Sequence, residues 1–294
     1  MTSAGWSIAA CLVVGAVLTG VSSQAFLAVC GDALRTPRGL LEAKPDRYIL
    51  PKSASYSVSS EGGNYAVDYK FRAVGNDEVT LKFSLPKSTV DERIGKFGFD
   101  KAVMGPMSAT PENIRKRQAA VEAGYFRIDG DQIKPAFRRM IRDERDILTP
   151  IVTLGNREMG SKTTIRDRAA FWLAFCQSIP YGIPPYQDEA RMYGGLMPPT
   201  GTLRMGWGDC DCKGTLFATL MSHYDGAKVI AVNVPGHFLI GVKGVGQPGD
   251  DTVEFEGEEY VLCEPVGVAR FPFGKKSQLS QNILSMRRIV PYTD

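Results

Sequence analysis

The sequence predicts an α+β fold, in which antiparallel strands and helices occupy separate stretches of the chain. Apolar residues alternate with polar ones over 65–73 and 79–85, which is the two-residue period of half-buried strands. Over 162–178 and 210–221 the apolar residues repeat every three to four positions, which is the period of a helix. Two further strand-like runs follow the second of these helices, so strands and helices both contribute to the predicted core.

Length and composition bound the possibilities. The chain has 294 residues, of which 44% are hydrophobic, and this is enough to bury one large core or two modest ones. The net charge is +3, so no nucleic-acid footprint is predicted. The spacing of the six cysteines does not indicate a disulfide framework.

The N-terminal segment, 1–31, contains no charged side chain and is predicted to be a signal peptide or a membrane anchor. The apolar run 8–21 followed by small residues fits a secretory signal, although the segment lacks the usual basic start. If the run continues to Cys30, it reaches the roughly 20 residues that span a bilayer. A buried N-terminal helix is the third interpretation. Residues 32–50 are polar, contain two prolines and are predicted to be a linker.

Residues 51–155 are predicted to form a small α+β module without a chemical motif, which would flank the active site or dock another protein. A hairpin turning at 75–77 joins its two alternating strands, and residues 56–58 belong to an earlier strand. Thr110-Pro111 starts a helix that ends at Gly124. A short hairpin turns at 129–130, and a second helix runs from Pro135 to about Pro150.

Residues 156–294 are predicted to form the second domain. A helix over 162–178 is followed by a long structured loop, 180–208, which is rich in proline and typical of the wall of a substrate cleft. A second helix starts near Cys210. Strands beginning at His237 and Glu259 come next, separated by a loop, and residues 289–292 are predicted to form a last edge segment.

Cys210 is the candidate nucleophile of this domain. It stands after Gly208-Asp209 and directly before the apolar helical run, which places it on the first turn of a buried helix. Unpaired backbone N–H groups and the positive end of the helix dipole lie there. Both favour an anion, so we expect the thiolate to be favoured over the thiol.

His237 and Glu264 are the candidate partners of that thiol. His223 is the other histidine, but it lies at the far end of the same helix, about 20 Å from the thiol at the rise of an α-helix. His237 begins a strand, and neighbouring strands would bring Glu264 beside it. A nucleophile, a base and a group that orients the base are the three parts of a catalytic triad.

These motifs resemble the transglutaminase-like cysteine peptidase superfamily of bacteria and archaea. The resemblance lies in Gly208-Asp209-Cys210-Asp211, Gly236-His237-Phe238 and Leu262-Cys263-Glu264-Pro265, and it covers about residues 162–268. It implies a papain-like or transglutaminase-like core, in which the helix with the nucleophile packs on an antiparallel sheet. It also implies Cys210 as nucleophile, His237 as base and Glu264 as acid. Two departures are Glu264, where many relatives carry aspartate, and Cys212, which leaves two candidate thiols.

Four residues are predicted to support the triad: Gln177, Asp211, Cys212 and Trp207. Gln177 has two interpretations, as a donor to the oxyanion or as a helix-end amide bonded to the turn that follows the helix. Trp207 would shape the cleft or cover the start of the helix. The resemblance implies no cofactor, and no calcium-binding pattern follows Asp209 and Asp211.

The sequence therefore favours an exported or membrane-anchored cysteine hydrolase of the envelope or periplasm, acting on peptide or isopeptide bonds. Its substrate would be a protein, a peptide or a peptidoglycan-linked peptide, and amine transfer is the less favoured reaction. Two alternatives stay open. One is a catalytically silent structural or adaptor protein of an envelope or virion complex. The other is a zinc module held by Cys210, Cys212, Cys263 and His237.

Overall fold

A computed structural model describes residues 54–105, 110–161, 163–266 and 270–292, and these residues form a mixed α+β fold with antiparallel sheets. The predicted signal peptide or anchor (1–31) and linker (32–50) lie outside the described residues. None of the helices in these described ranges combines the length and the apolar character that crossing a membrane requires.

The first sheet consists of β1 (Ser55–Glu61), β2 (Asn64–Arg72) and β3 (Glu78–Pro86), paired in that order and antiparallel. The predicted hairpin and the predicted earlier strand are both confirmed. One face of β2 and β3 is buried and the other is polar, which is the cause of the alternation in the sequence. The division of the chain near residue 155 stays a prediction.

The elements that follow β3 agree with the sequence only in part. Helix α1 (Lys87–Lys96) was not predicted, because most of its residues are polar and it buries only Val90 and Ile94. Helix α2 (Pro111–Ala123) is confirmed, with Thr110 accepting a hydrogen bond from Asn113 N at 3.3 Å. Short strands β4 (Phe99–Asp100), β5 (Phe126–Asp129) and β6 (Gln132–Pro135) complete this region, and the turn between β5 and β6 is the predicted one.

The helix predicted from Pro135 to Pro150 is wrong in its bounds. The structure has two helices there, α3 (Phe137–Glu144) and α4 (Thr149–Met159). Pro150 belongs to the first turn of α4, where a residue without a backbone N–H breaks no hydrogen bond. Proline marks the start of the next helix here rather than the end of the previous one.

Three helices lead to the candidate site. Helix α5 (Ile165–Ser178) starts with a capping box between Thr164 and Asp167, and it confirms the predicted helix. The segment predicted as loop contains β7 (Arg191–Met192), which pairs with β4, and helix α6 (Pro199–Met205). Helix α7 (Cys210–Met221) begins at the predicted nucleophile.

The second sheet has the order β10-β11-β9-β8-β12, with every pair antiparallel. Its strands are β8 (Val229–Val234), β9 (His237–Lys243), β10 (Thr252–Phe255), β11 (Glu258–Cys263) and β12 (Arg288–Pro291). The predicted contact between the strands that carry His237 and Glu264 and the predicted edge segment are confirmed. β10 was not predicted as a strand. Helix α8 (Gln278–Ile283) precedes β12.

Helix α7 packs on one face of the second sheet. Phe238 and Ile240 of β9 point at this helix, and an added Cβ at Gly214 would come within 2.5 Å of the Phe238 ring. The first sheet reaches the same core through Phe175 of α5, whose ring lies 4.8 Å from that of Tyr69 and 5.5 Å from that of Phe71. The nucleophile helix therefore sits in the largest core of the described residues.

Gly214→Ala is expected to destabilise the protein by about 1–3 kcal/mol, because the new methyl group overpacks the contact between α7 and β9. Gly95→Ala in α1 is the matched control, since an added Cβ there meets nothing within 4 Å. That control should be neutral or stabilising by roughly 0.5–1 kcal/mol. Urea unfolding of the three proteins measures both effects, and equal midpoints for wild type and Gly214→Ala would contradict the packing account.

Candidate active site

Cys210 stands at the start of α7, as the sequence predicts. Asp209 is the N-cap of the helix, and its Oδ1 accepts a hydrogen bond from Cys212 N at 3.3 Å. Of the four cysteines in the described ranges, Cys210 alone is not buried. Cys212 is fully buried and its Sγ accepts a hydrogen bond from Met197 N at 3.3 Å, so Cys210 is the thiol that a substrate could reach.

His237 and Glu264 meet at the end of the second sheet. His237 is the first residue of β9 and Glu264 directly follows β11, and these strands are neighbours. His237 Nε2 lies 3.4 Å from Glu264 Oε2, with side chains only 8% and 4% exposed. The other carboxylate oxygen, Oε1, accepts a hydrogen bond from Ser277 N at 2.8 Å. The predicted proximity of His237 and Glu264 is therefore confirmed, and their catalytic roles stay a prediction.

The Cys210 thiol is less closely associated with His237 than Glu264 is. Among the described residues, no hydrogen bond joins Cys210 to His237. Side chains alternate between the two faces of the sheet along β9. Phe238 and Ile240 lie on the face that packs on α7, whereas His237 lies with Leu239 on the other face. His237 can approach the thiol only around the end of the sheet. Because Nε2 faces Glu264, Nδ1 is the nitrogen left for the thiol.

The pKa of Cys210 is raised well above its ordinary value, firstly by burial and then by the charges of Asp211 and Asp209. The backbone N–H groups of the first turn act in the opposite direction but are weaker causes. Burial and the two carboxyl groups therefore outweigh the helix N-terminus, which acts in the direction that the sequence predicts. A base that removes the proton of the thiol would therefore assist its action as a nucleophile.

The two carboxyl groups beside Cys210 are themselves perturbed. The pKa of Asp209 is raised well above its ordinary value by burial and by the charge of Asp211, and burial also raises the pKa of Asp211. Lys213, on the next turn, is fully buried and donates a hydrogen bond to Ile179 O. Burial lowers the pKa of Lys213 to about 8. Two carboxyl groups and an amine thus lie near the thiol in a poorly solvated place, where burial disfavours the charged form of each.

Asp211→Asn is expected to speed the alkylation of Cys210 by iodoacetamide at pH 7 by roughly threefold, because it removes a negative charge that disfavours the thiolate. Asp225→Asn, a change of the same charge at an exposed position after α7, should leave the rate unchanged. Peptide-mapped mass spectrometry reports the label on Cys210 itself. A slower reaction of Asp211→Asn than of wild type would mean that the carboxylate assists the thiol instead.

Gln177 and Trp207, two of the predicted supporting residues, are both buried. Gln177 is buried, and its Nε2 donates to the carbonyl oxygens of Glu264 at 2.9 Å and Phe271 at 2.8 Å. Both amide hydrogens are engaged, so they are not free to hold an oxyanion. The acceptors are 87 and 94 residues away rather than in the turn after the helix, so the observed contacts match neither predicted interpretation. Trp207 is buried in the core beside the start of α7.

Two neighbours of the thiol were not recognised in the sequence. Tyr181 forms a bridge with Gly208, and Gly208 N donates to Pro180 O at 3.1 Å, which holds this segment against the turn before Cys210. Tyr292 is buried after β12 and its ring lies 5.7 Å from that of Phe238. Each belongs to an element far from Cys210 in sequence, so no local pattern indicated it.

The four residues of the alternative zinc module do not converge. In the described ranges, the one group of potential metal ligands is Asp209, Asp211 and Cys212, whose ligand atoms lie within 4.8 Å of one another. Neither His237 nor Cys263 belongs to it. Asp209 and Cys212 already accept hydrogen bonds from backbone N–H groups. The predicted set of three cysteines and a histidine is therefore wrong.

No protein-family model matches the chain, and no curated protein or solved structure matches it either. The resemblance described above stays a prediction. Support for a function comes from the geometry and chemistry of the site rather than from the fold.

Proposed function

We propose that the protein is a cysteine hydrolase of the transglutaminase-like type, which cleaves peptide or isopeptide bonds with Cys210, His237 and Glu264. The observation that carries the proposal is the buried His237–Glu264 pair at the end of the sheet on which α7 packs, with the half-buried thiol of Cys210 at the first residue of α7. This arrangement supports a papain-like or transglutaminase-like core.

In the proposed reaction, Cys210 Sγ attacks the amide carbonyl carbon while its proton passes to His237 Nδ1. Glu264 stabilises the imidazolium through Nε2, and the N–H groups of the first turn of α7 stabilise the oxyanion. The imidazolium then gives its proton to the leaving amine as the C–N bond breaks, leaving a thioester. Water, deprotonated by His237, hydrolyses the thioester and restores the thiol.

His237 has two tasks in this scheme. Because burial and the neighbouring carboxyl groups disfavour the thiolate of Cys210, a base assists the attack as well as the departure of the leaving group. Hydrolysis is favoured over amine transfer, because transfer requires an acceptor amine to outcompete water. We propose envelope proteins or peptidoglycan-linked peptides as substrates, since the uncharged segment 1–31 is typical of an exported or anchored protein.

Wild type and Cys210→Ala are to be incubated with peptides from envelope proteins and with peptidoglycan stem peptides, and the products identified by mass spectrometry. We expect cleavage products with wild type only. A lysine-containing peptide added to the mixture tests transfer, because a cross-linked product would show an amine acceptor. Equal products from both proteins, or none from either, would contradict the proposal.

A catalytically silent structural or adaptor protein is the second candidate. The observation in its favour is that, in the described residues, no hydrogen bond joins the Cys210 thiol to His237. Such a protein would yield no product from any substrate, and Cys210→Ala would retain its partners in a pull-down from envelope extracts. The two candidates therefore predict opposite results in the same pair of proteins.

A further inference from the structure

Gln177 makes the longest-range contact with the candidate acid. It lies at the end of α5, is only 3% exposed, and donates one hydrogen bond to the backbone oxygen of Glu264 and one to that of Phe271. These partners are 87 and 94 residues further along the chain. A buried amide whose two hydrogens are both used on distant carbonyl groups fixes the position of those groups relative to its own helix.

Glu264 requires such a constraint. A glutamate has one more rotatable bond than an aspartate, so the position of its carboxylate is less determined by the backbone. Here the backbone at Glu264 is held by Gln177, and Oε1 is held by Ser277 N, which leaves Oε2 directed at His237 Nε2. Fixing both ends of the side chain defines where the imidazole is held.

We propose that Gln177 is a positioning residue of the triad, which holds the backbone of Glu264 and thereby directs its carboxylate to His237. The inference rests on the proposed function, since it assigns a role within the same site. Gln177 touches neither the thiol nor a substrate in this role. It acts through Glu264, in the way that outer partners of a catalytic group commonly act.

The test is a double-mutant cycle read by the alkylation rate of Cys210 with iodoacetamide at pH 7, which needs no knowledge of the substrate. Gln177→Met keeps the length of the side chain and removes both donors. We expect it to slow alkylation by about tenfold, as loss of an outer-shell partner commonly does. In a Glu264→Gln background, Gln177→Met should slow alkylation by less than about twofold, because its effect on the rate passes through the Glu264 carboxylate.

Ser178→Ala is the matched control, since the Ser178 hydroxyl is equally buried on the same turn but donates to Ala174 O. It should leave the alkylation rate unchanged. If Gln177→Met slows alkylation by the same factor in wild type and in Glu264→Gln, its role is a general structural one and the inference is overturned. If Glu264→Gln itself leaves the rate unchanged, the proposed relay fails, which is a different result from failure of the inference.

Gln177→Glu keeps the test valid if the methionine variant does not fold. Its ionised carboxylate faces two carbonyl oxygens and repels them, whereas its protonated form can donate one hydrogen bond. The rate relative to wild type should therefore be higher at pH 6 than at pH 8. A ratio that does not change with pH, in a protein shown to be folded by circular dichroism, would overturn the role of the amide donors.

Discussion

Cys210→Ser is expected to lower amide hydrolysis by at least about 10³-fold. The serine hydroxyl fits the same place at the start of α7, but it is a far weaker acid than a thiol and a poorer nucleophile. The loss should appear in kcat, since the substitution changes the bond-forming atom and leaves the surrounding contacts intact. Steady-state kinetics on a product-yielding peptide would measure it.

Cys212→Ala is the control that separates the two thiols. Cys212 is fully buried and its sulfur accepts a hydrogen bond from Met197 N, so its loss should change kcat by no more than about threefold. It should lower the free energy of unfolding by about 1 kcal/mol, because a buried sulfur and its hydrogen bond are removed. Loss of activity in Cys212→Ala with activity retained in Cys210→Ser would assign the nucleophile to the other thiol.

Alternating strands were the most predictable part of this fold. In β2 and β3 one buried face fixes a two-residue period that is visible in the sequence, and the register places Tyr69 opposite Leu81. Helix α1 and strand β10 gave no such signal. α1 buries only Val90 and Ile94, and β10 is four residues long, with Val253 as its buried side chain. Short or mostly exposed elements are stabilised by their neighbours rather than by a pattern of their own.

The site was predictable where its geometry is local or follows from strand pairing. The start of α7 at Cys210 and the contact of His237 with Glu264 follow from helix period and neighbouring strands. The pKa of the thiol was not predictable, because it depends on how deeply the helix start is buried and on the charges beside it. The contacts of Gln177 with residues 87 and 94 positions away have no local signature.

His237→Gln is expected to lower kcat by about 10³-fold, because no base is then left to take the proton of the thiol or to return it to the leaving amine. Glutamine can still accept or donate a hydrogen bond but cannot take up a proton. His223→Gln is the matched control, since His223 lies beyond the end of α7, bonded to Thr219 O, and should leave kcat unchanged. Activity retained by His237→Gln would remove the base from the proposed mechanism.

His237→Gln is also expected to change how the free energy of unfolding depends on pH. Burial acts to raise the pKa of Glu264, but the neighbouring His237, with the contacts from Ser280 and Ser277, lowers it overall. A lowered carboxyl pKa contributes stability that is present above the ordinary value of 4.5 and is lost as the pH falls through the folded value. In His237→Gln the effect of burial on the pKa of Glu264 is offset less, so the contribution of this carboxylate to stability becomes smaller. We expect the free energy of unfolding of wild type to exceed that of the variant by about 1 kcal/mol at pH 7. This difference should decline as the pH falls below 4.5, and urea unfolding at both pH values would measure it. A difference independent of pH would mean that His237 does not stabilise the Glu264 carboxylate, and the pair would then be a packing contact rather than a base with its orienting acid.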